Sequence, residues 1–272
     1  MLVADTISPS IVPAAAARRA SAAAEPDVLA NAIAALGVET VWRWAWDNYK
    51  RVVQDLSSQL AAHRLIEIGG GRDPLFDRTE LKNLGAELTV NDIDPSELAF
   101  LPQGYPTACF DVIGDLSNEP QLRNSFDLAF SRMVFEHVAD GQRAWANLYE
   151  LLAPGGIALA FIPTLYAVPF VVNWLLPHKF AAAIVKTLRP ERRGEDDPVF
   201  PPVYSWCFAD ETRIEPMLSA IGYREVAVLP FYGHGYYDNI PVAPGIHKWF
   251  TGIARHRDWR MLASFAYIVA RK

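Results

Sequence analysis

Residues 65 to 74 read Leu65-Ile66-Glu67-Ile68-Gly69-Gly70-Gly71-Arg72-Asp73-Pro74, a short apolar run that breaks into three glycines. A run of that length ending on glycine is a buried strand feeding a tight turn. Glycine lets the backbone turn and approach a ligand with no Cβ in the way. The one acid in the run, Glu67, stands at the penultimate strand position. A dinucleotide loop would read G-x-G-x-x-G, but Pro74 occupies the third glycine's place and no later glycine draws a helix close. A carboxylate here suits a cationic or hydrogen-bond-donating ligand and repels a pyrophosphate.

Outward from this loop, short apolar runs alternate with helical patterns: Leu65 to Ile68, Glu87 to Asn91, Cys109 to Ile113, Asp127 to Phe130 and Ile157 to Ile162. That alternation predicts an α/β fold on a mostly parallel, doubly wound sheet. Between the last two runs, Asp140 is placed to cap a helix whose buried stripe is Trp145, Leu148, Leu151 and Leu152, with Ala153-Pro154-Gly155-Gly156 ending it. Later, Ile214, Met217, Leu218 and Ile221 fall at helical spacing with Pro216 in the first turn or at a kink, and strands follow near Glu225 to Phe231 and Ala263 to Ala270. Upstream, Leu29, Ile33 and Leu36 share a helical face, and Val41, Trp44, Tyr49, Val52 and Leu56 continue in a second helix. Trp42, Trp44 and Trp46 alternate at period two, which on a helix spreads them over more than one face, so one of them meets something besides the local core. The predicted organisation is a loose tail over 1–25, a helical extension over 26–63 and an α/β domain over 64–272, with additions at 163–208 and 232–262.

Two further acids follow strands. Asp92, 23 residues beyond Gly69, can accept both hydroxyls of a ribose. Asp115 can accept from an exocyclic amine while the backbone N–H of Leu116 donates to the ring. Any one of these acids reads equally as a cap or a solvated turn; their joint position at successive strand ends is what points to a ligand.

Composition narrows the partners. The 272 residues carry a formal net charge of −6, with 51% hydrophobic and 21% charged, enough for a large core and too acidic for a general nucleic-acid binder. Two cysteines, Cys109 and Cys207, with no CxxC pair, point to a reducing, cytoplasmic setting. Six histidines form neither HExxH nor HxxxH, so no metal site is predicted. The most apolar later stretch, 161–176, is broken by prolines and too short to span a membrane, though it leaves room for peripheral contact. Oligomeric state is not legible.

Residues 64 to 162 resemble the core of the class I S-adenosylmethionine-dependent methyltransferases, the type-11-like group: LIEIGGGRDP, LTVNDIDPSEL, DVIGDLSN, SFDLAFSRMVFEHV and ELLAPGGIALAFIP stand in the family's motif order, and MLSAIGYREV and ASFAYIVARK are similar to its later segments. The resemblance implies a seven-stranded sheet with the last strand antiparallel and S-adenosyl-L-methionine as cofactor. It places Glu67, Gly69, Gly70 and Gly71 at the amino acid portion, Asp92 and Ile93 at the ribose and adenine, Asp115 and Leu116 at the adenine edge, and Ser131 and Arg132 beside the methionine end. Pro74 departs from the family's common third glycine.

Methyl transfer to a hydroxyl needs a base within hydrogen-bond reach. His137 follows the fourth predicted strand, and His234, between Gly233 and Gly235, follows the sixth, with Asp238 placed to orient it. Trp174, His178, Tyr236, Tyr237 and Asp238 are candidates for the acceptor pocket, because 18 of the 110 residues from 163 to 272 are aromatic, about 16%. The expected activity is methyl transfer to a small-molecule acceptor, a hydroxyl of a saccharide, glycolipid or secondary metabolite. The alternatives are a nicotinamide-dependent oxidoreductase and a catalytically silent adaptor that keeps the fold.

Overall fold

A computed structural model describes residues 28–165, 202–235 and 243–272. The predicted tail and the candidates Trp174, His178, Tyr236, Tyr237 and Asp238 lie outside the described residues.

Seven strands, β1 (Arg64–Ile68), β2 (Glu87–Asp92), β3 (Thr107–Cys109), β4 (Phe126–Arg132), β5 (Leu152–Pro163), β6 (Glu225–Phe231) and β7 (Phe265–Arg271), form one sheet in the order β3-β2-β1-β4-β5-β7-β6. β1 to β5 run parallel, and β7 lies antiparallel to both β5 and β6. This is the Rossmann-like methyltransferase arrangement, and the order reverses at β1, so the carboxyl ends of β1, β2 and β4 border a natural crevice. The central strands are mostly apolar and are buried along their middles, as strands covered on both faces must be.

The helices are α1 (Val28–Ala35), α2 (Trp42–Gln59), α3 (Arg78–Leu84), α4 (Pro95–Ala99), α5 (Gly141–Leu151), α6 (Glu211–Ile221) and α7 (Ala243–His256). α3 begins with a capping box, Asp77 accepting from the Glu80 N–H and Glu80 reaching back to the Asp77 N–H, a pair worth about 1 kcal/mol. Asp140 caps α5 through the Arg143 N–H, and Trp145, Leu148 and Leu151 are buried. Pro216 sits mid-way along α6 rather than in its first turn.

Two boundaries differ from the pattern read in sequence. β3 ends at Cys109 because the Asp111 side chain accepts from the Ile113 N–H and its carbonyl from the Gly114 N–H, which turns the chain where Val112 and Ile113 suggested more strand. β5 starts at Leu152, opposite Phe126, and the Pro154-Gly155-Gly156 stretch is a bulge inside the strand pairing rather than a terminator beyond the helix. A Cβ on Gly156 would lie 2.9 Å from the Ala153 carbonyl and 3.1 Å from that of Asp127, so only glycine lets the two strands close there.

α2 ties the N-terminal helices to the sheet through aromatic contacts. Tyr49 stacks on Phe161 and meets Tyr267 edge-on, while its hydroxyl donates to the Ser131 carbonyl at 2.7 Å and the Tyr267 hydroxyl donates to Ala45. Trp44 stacks on Phe231 at 6.0 Å. Trp46 meets Phe161 and Phe265 by its edge and keeps 37% of its surface exposed. Of the three alternating tryptophans, Trp46 is therefore the one turned outward, and it lies where β5 ends and β7 begins.

Candidate cofactor and acceptor site

The glycine loop follows β1 and folds back on the end of β2. The Gly70 N–H donates to the Asn91 carbonyl at 2.9 Å, and Asn91 in turn donates its side-chain amide to the carbonyls of Ala108 and Phe110, joining loop, β2 and β3. Gly69 and Gly71 have φ of +68° and +50°. A Cβ at Gly69 would stand 2.6 Å from Val134 Cγ2, and one at Gly71 would stand 3.1 Å from Asp92 Oδ2. Gly69→Ala is expected to cost about 2 kcal/mol, from backbone strain plus that overlap, read as a lower unfolding midpoint in urea.

Pro74 has no N–H, and the next amide, Leu75, donates to Glu67 Oε2 at 2.8 Å. The next helix along the chain, α3, starts only at Arg78. Arg72 forks onto Glu97 of α4 with two contacts of 2.6 Å, closing the loop against the segment that follows Asp92.

Glu67 is buried, and its Oε1 makes no hydrogen bond among the described residues. Burial pushes its carboxyl up to about 7, while the Leu75 N–H and the charge of Arg132 pull the other way. Asp92 is half-buried and also raised, by burial first; its Oδ1 accepts from the Asp94 N–H. Ile93 beside it leaves 54% of its surface open. Asp115 is exposed and its carboxylate accepts from both the N–H and the hydroxyl of Ser117, which hold it below the usual range. Asp115 thus does the work of a cap in this structure, with lone pairs left for a further donor. Leu116 is buried behind it, and Asn147 of α5 fixes the preceding turn by donating to the Val112 and Gly114 carbonyls.

β4 completes the border. Ser131 pairs with Ile68 in register, is buried, and leaves its hydroxyl oxygen without a hydrogen-bond partner. Arg132 is exposed beside it. Met133 then takes φ of +58°, a strained conformation for a residue other than glycine. The short turn Phe135–His137 follows. The His137 side chain is 35% exposed, with Nε2 3.8 Å from Glu136 Oε1.

Glu136 drew no functional reading from the sequence beyond its place beside His137. It is buried, its Oε2 has no partner, and burial drives its carboxyl up to about 8. Its carbonyl accepts from the N–H groups of Val203 and Tyr204, and the Gly141 N–H donates to the Ser205 hydroxyl, so the chain returning near residue 202 packs directly on the His137 turn. An acid inside the apolar run Val134-Phe135-Glu136 was the one local sign.

His234 does not project from a loop. It is buried, its ring tilted against His247 of α7 at 4.0 Å, and burial followed by the His247 charge lowers it to about 3. A ring so disfavoured as imidazolium is a weak proton acceptor at neutral pH. β5 and β7 separate its strand from the one that carries His137. Among the described residues no cluster of His, Cys, Asp and Glu is arranged to hold a metal.

Residues 66–160 match the family model described as a methyltransferase domain. Among curated proteins, the chain is 36% identical over 110 residues to the biotin biosynthesis bifunctional protein BioHC of Cellvibrio japonicus (strain Ueda107), a match covering 40% of this chain and 21% of that protein. It is 29% identical over 126 residues to an uncharacterized protein of Synechococcus sp., covering 44% of this chain and 30% of that one. The chain thus spans less than a third of the length of these curated relatives. Among solved structures, a SAM dependent methyltransferase from Archaeoglobus fulgidus overlaps with a TM-score of 0.48 at 14% identity, covering 85% of this chain and 100% of that one.

Proposed function

We propose, from the match of residues 66–160 to the methyltransferase-domain model, that the protein transfers a methyl group from S-adenosyl-L-methionine to a hydroxyl of a small-molecule acceptor, of the saccharide, glycolipid or secondary-metabolite class. The observation that carries the reading is the glycine cradle: a Cβ at Gly70 would press on Val90 and Glu67 and one at Gly71 on Asp92 Oδ2, so the loop backbone lies against the two acids with no room for side chains between.

When bound, the sulfonium supplies an already activated methyl group. Glu67 Oε1 is the acceptor for the α-ammonium and Asp92 Oδ2 for the ribose hydroxyls, while Ile93 offers an apolar face to the adenine and the orphaned Ser131 hydroxyl faces a polar group at the methionine end. Positioning of the acceptor oxygen then supplies much of the rate. His137, half-exposed on the rim past β4, is the base for the hydroxyl proton. The aromatic additions after β5 and β6 select the acceptor. A buried carboxylate at the loop disfavours the pyrophosphate of a nicotinamide cofactor.

Calorimetric titration with S-adenosylhomocysteine tests the cofactor half: binding is expected, weakened about tenfold in Asp92→Ala. Absence of heat, or an Asp92→Ala protein that binds like wild type, removes the reading. Labelled-methyl transfer into a fractionated cell extract tests the acceptor half, with His137→Ala losing about 100-fold in turnover for an oxygen acceptor.

A further inference from the structure

The excursion between β6 and β7 leaves and rejoins the sheet at a single edge. Phe231 pairs with Phe265, and Phe265 pairs in turn with Pro163 at the carboxyl end of β5. The Met133 N–H, just past β4, donates to the Phe161 carbonyl at that same edge. α7 therefore hangs from the edge that carries the glycine loop and the His137 turn.

The outer side of α7 and the turn after it are apolar and uncovered. Trp249 is 68% exposed, and Phe250, Trp259 and Met261 are exposed as well, while Ala254, one turn beyond Phe250, is buried. Helical spacing puts Trp249, Phe250 and Ile253 on one face. Single exposed apolar residues are ordinary, but two tryptophans, a phenylalanine and a methionine exposed within residues 249–261 are a local concentration of apolar surface.

The charge along this stretch is opposite to that of the chain. Residues 247–261 hold Lys248, Arg255, Arg257 and Arg260 against Asp258 alone, +3 within a chain of −6. Arg260 is engaged by Glu211 at 3.1 Å and Asp258 at 3.0 Å. Lys248, Arg255 and Arg257 make no ion pair among the described residues and are exposed. Cations interleaved with tryptophan are what a helix lying in a lipid headgroup layer requires: the rings enter the acyl boundary and the charges meet anionic headgroups. Single-stranded nucleic acid also meets cations and stacked aromatic rings, and binding to vesicles is what separates the two partners.

We infer that α7 and the turn after it dock the protein on an anionic lipid surface, with the carboxyl edge of the sheet turned toward the bilayer. This goes beyond the methyl-transfer reading, and its test needs no turnover. The intact protein is floated with vesicles of phosphatidylcholine containing about 30% phosphatidylglycerol, and with phosphatidylcholine alone, at about 0.1 M salt. Flotation is expected on the anionic vesicles only. The triple variant Lys248→Glu, Arg255→Glu, Arg257→Glu loses about 100-fold or more in vesicle affinity, at roughly fivefold per charge removed. The variant Trp249→Ser, Trp259→Ser also loses retention while its melting profile and S-adenosylhomocysteine titration stay those of wild type. No flotation, equal flotation on neutral vesicles, or full retention by both variants overturns the proposal.

Discussion

Glu67→Gln is expected to weaken S-adenosylhomocysteine binding by about 30- to 100-fold at pH 8, the loss that follows removal of a buried charge-assisted contact. Glu67 Oε2 is already used by the Leu75 N–H, so the oxygen left for a ligand is Oε1. A glutamine that keeps the Leu75 bond turns an amide N–H₂ toward that space, and donor then faces donor. The wild-type protein carries a second signature. Its free carboxyl sits at about 7, raised by burial and moderated by Leu75 and Arg132. An α-ammonium requires the ionised form, so affinity should fall up to tenfold for each pH unit below about 7 and level off toward pH 8. The profile is read no higher, because a ligand amine begins to lose its own proton there. Calorimetry at several pH values measures both effects. A flat wild-type profile, or a glutamine variant that follows the wild-type curve, takes Glu67 out of the ligand site.

The strand ends were readable because local chemistry restricts what can stand there. Gly69 and Gly71 occupy φ values that other residues avoid, and Asp92 directly abuts the second of them, so spacing in the chain reports proximity in space. The mostly parallel α/β sheet followed from the alternation of periods, and its β5 bulge and short β3 were missed because single hydrogen bonds, such as Asp111 to Ile113, decide them. What lay beyond reading were consequences of distant packing. Gly-His-Gly signals an exposed turn, yet His234 is buried because α7 closes over it. Glu136 lies next to a residue singled out at once, yet its isolation from water comes from residues near 204, which return after a long excursion and leave no local trace. Tyr49, from a helix before the first strand, reaches the Ser131 carbonyl by the same kind of long-range contact.

That isolation gives Glu136 a steep stability dependence on pH. Its folded carboxyl titrates near 8, and its unfolded one near 4.5. Between those values the native state holds a proton that the unfolded state has released, so stability falls as pH rises through the window and the loss levels off above about pH 8. The window of between three and four pH units corresponds to roughly 4 kcal/mol at its upper end. Glu136→Gln cannot ionise and should abolish this slope. The amide brings two donors into a site where Oε2 already lacks a partner, so its offset at low pH can have either sign; the slope is the diagnostic quantity. Urea unfolding at pH 5, 7 and 9 should show wild-type stability declining relative to the variant by several kcal/mol, equivalent to roughly 8 °C or more in melting temperature. Parallel curves would mean that Glu136 is ionised and solvated in the folded protein. In that case the packing of residues 203–205 on the His137 turn is looser than the hydrogen bonds to the Glu136 carbonyl imply.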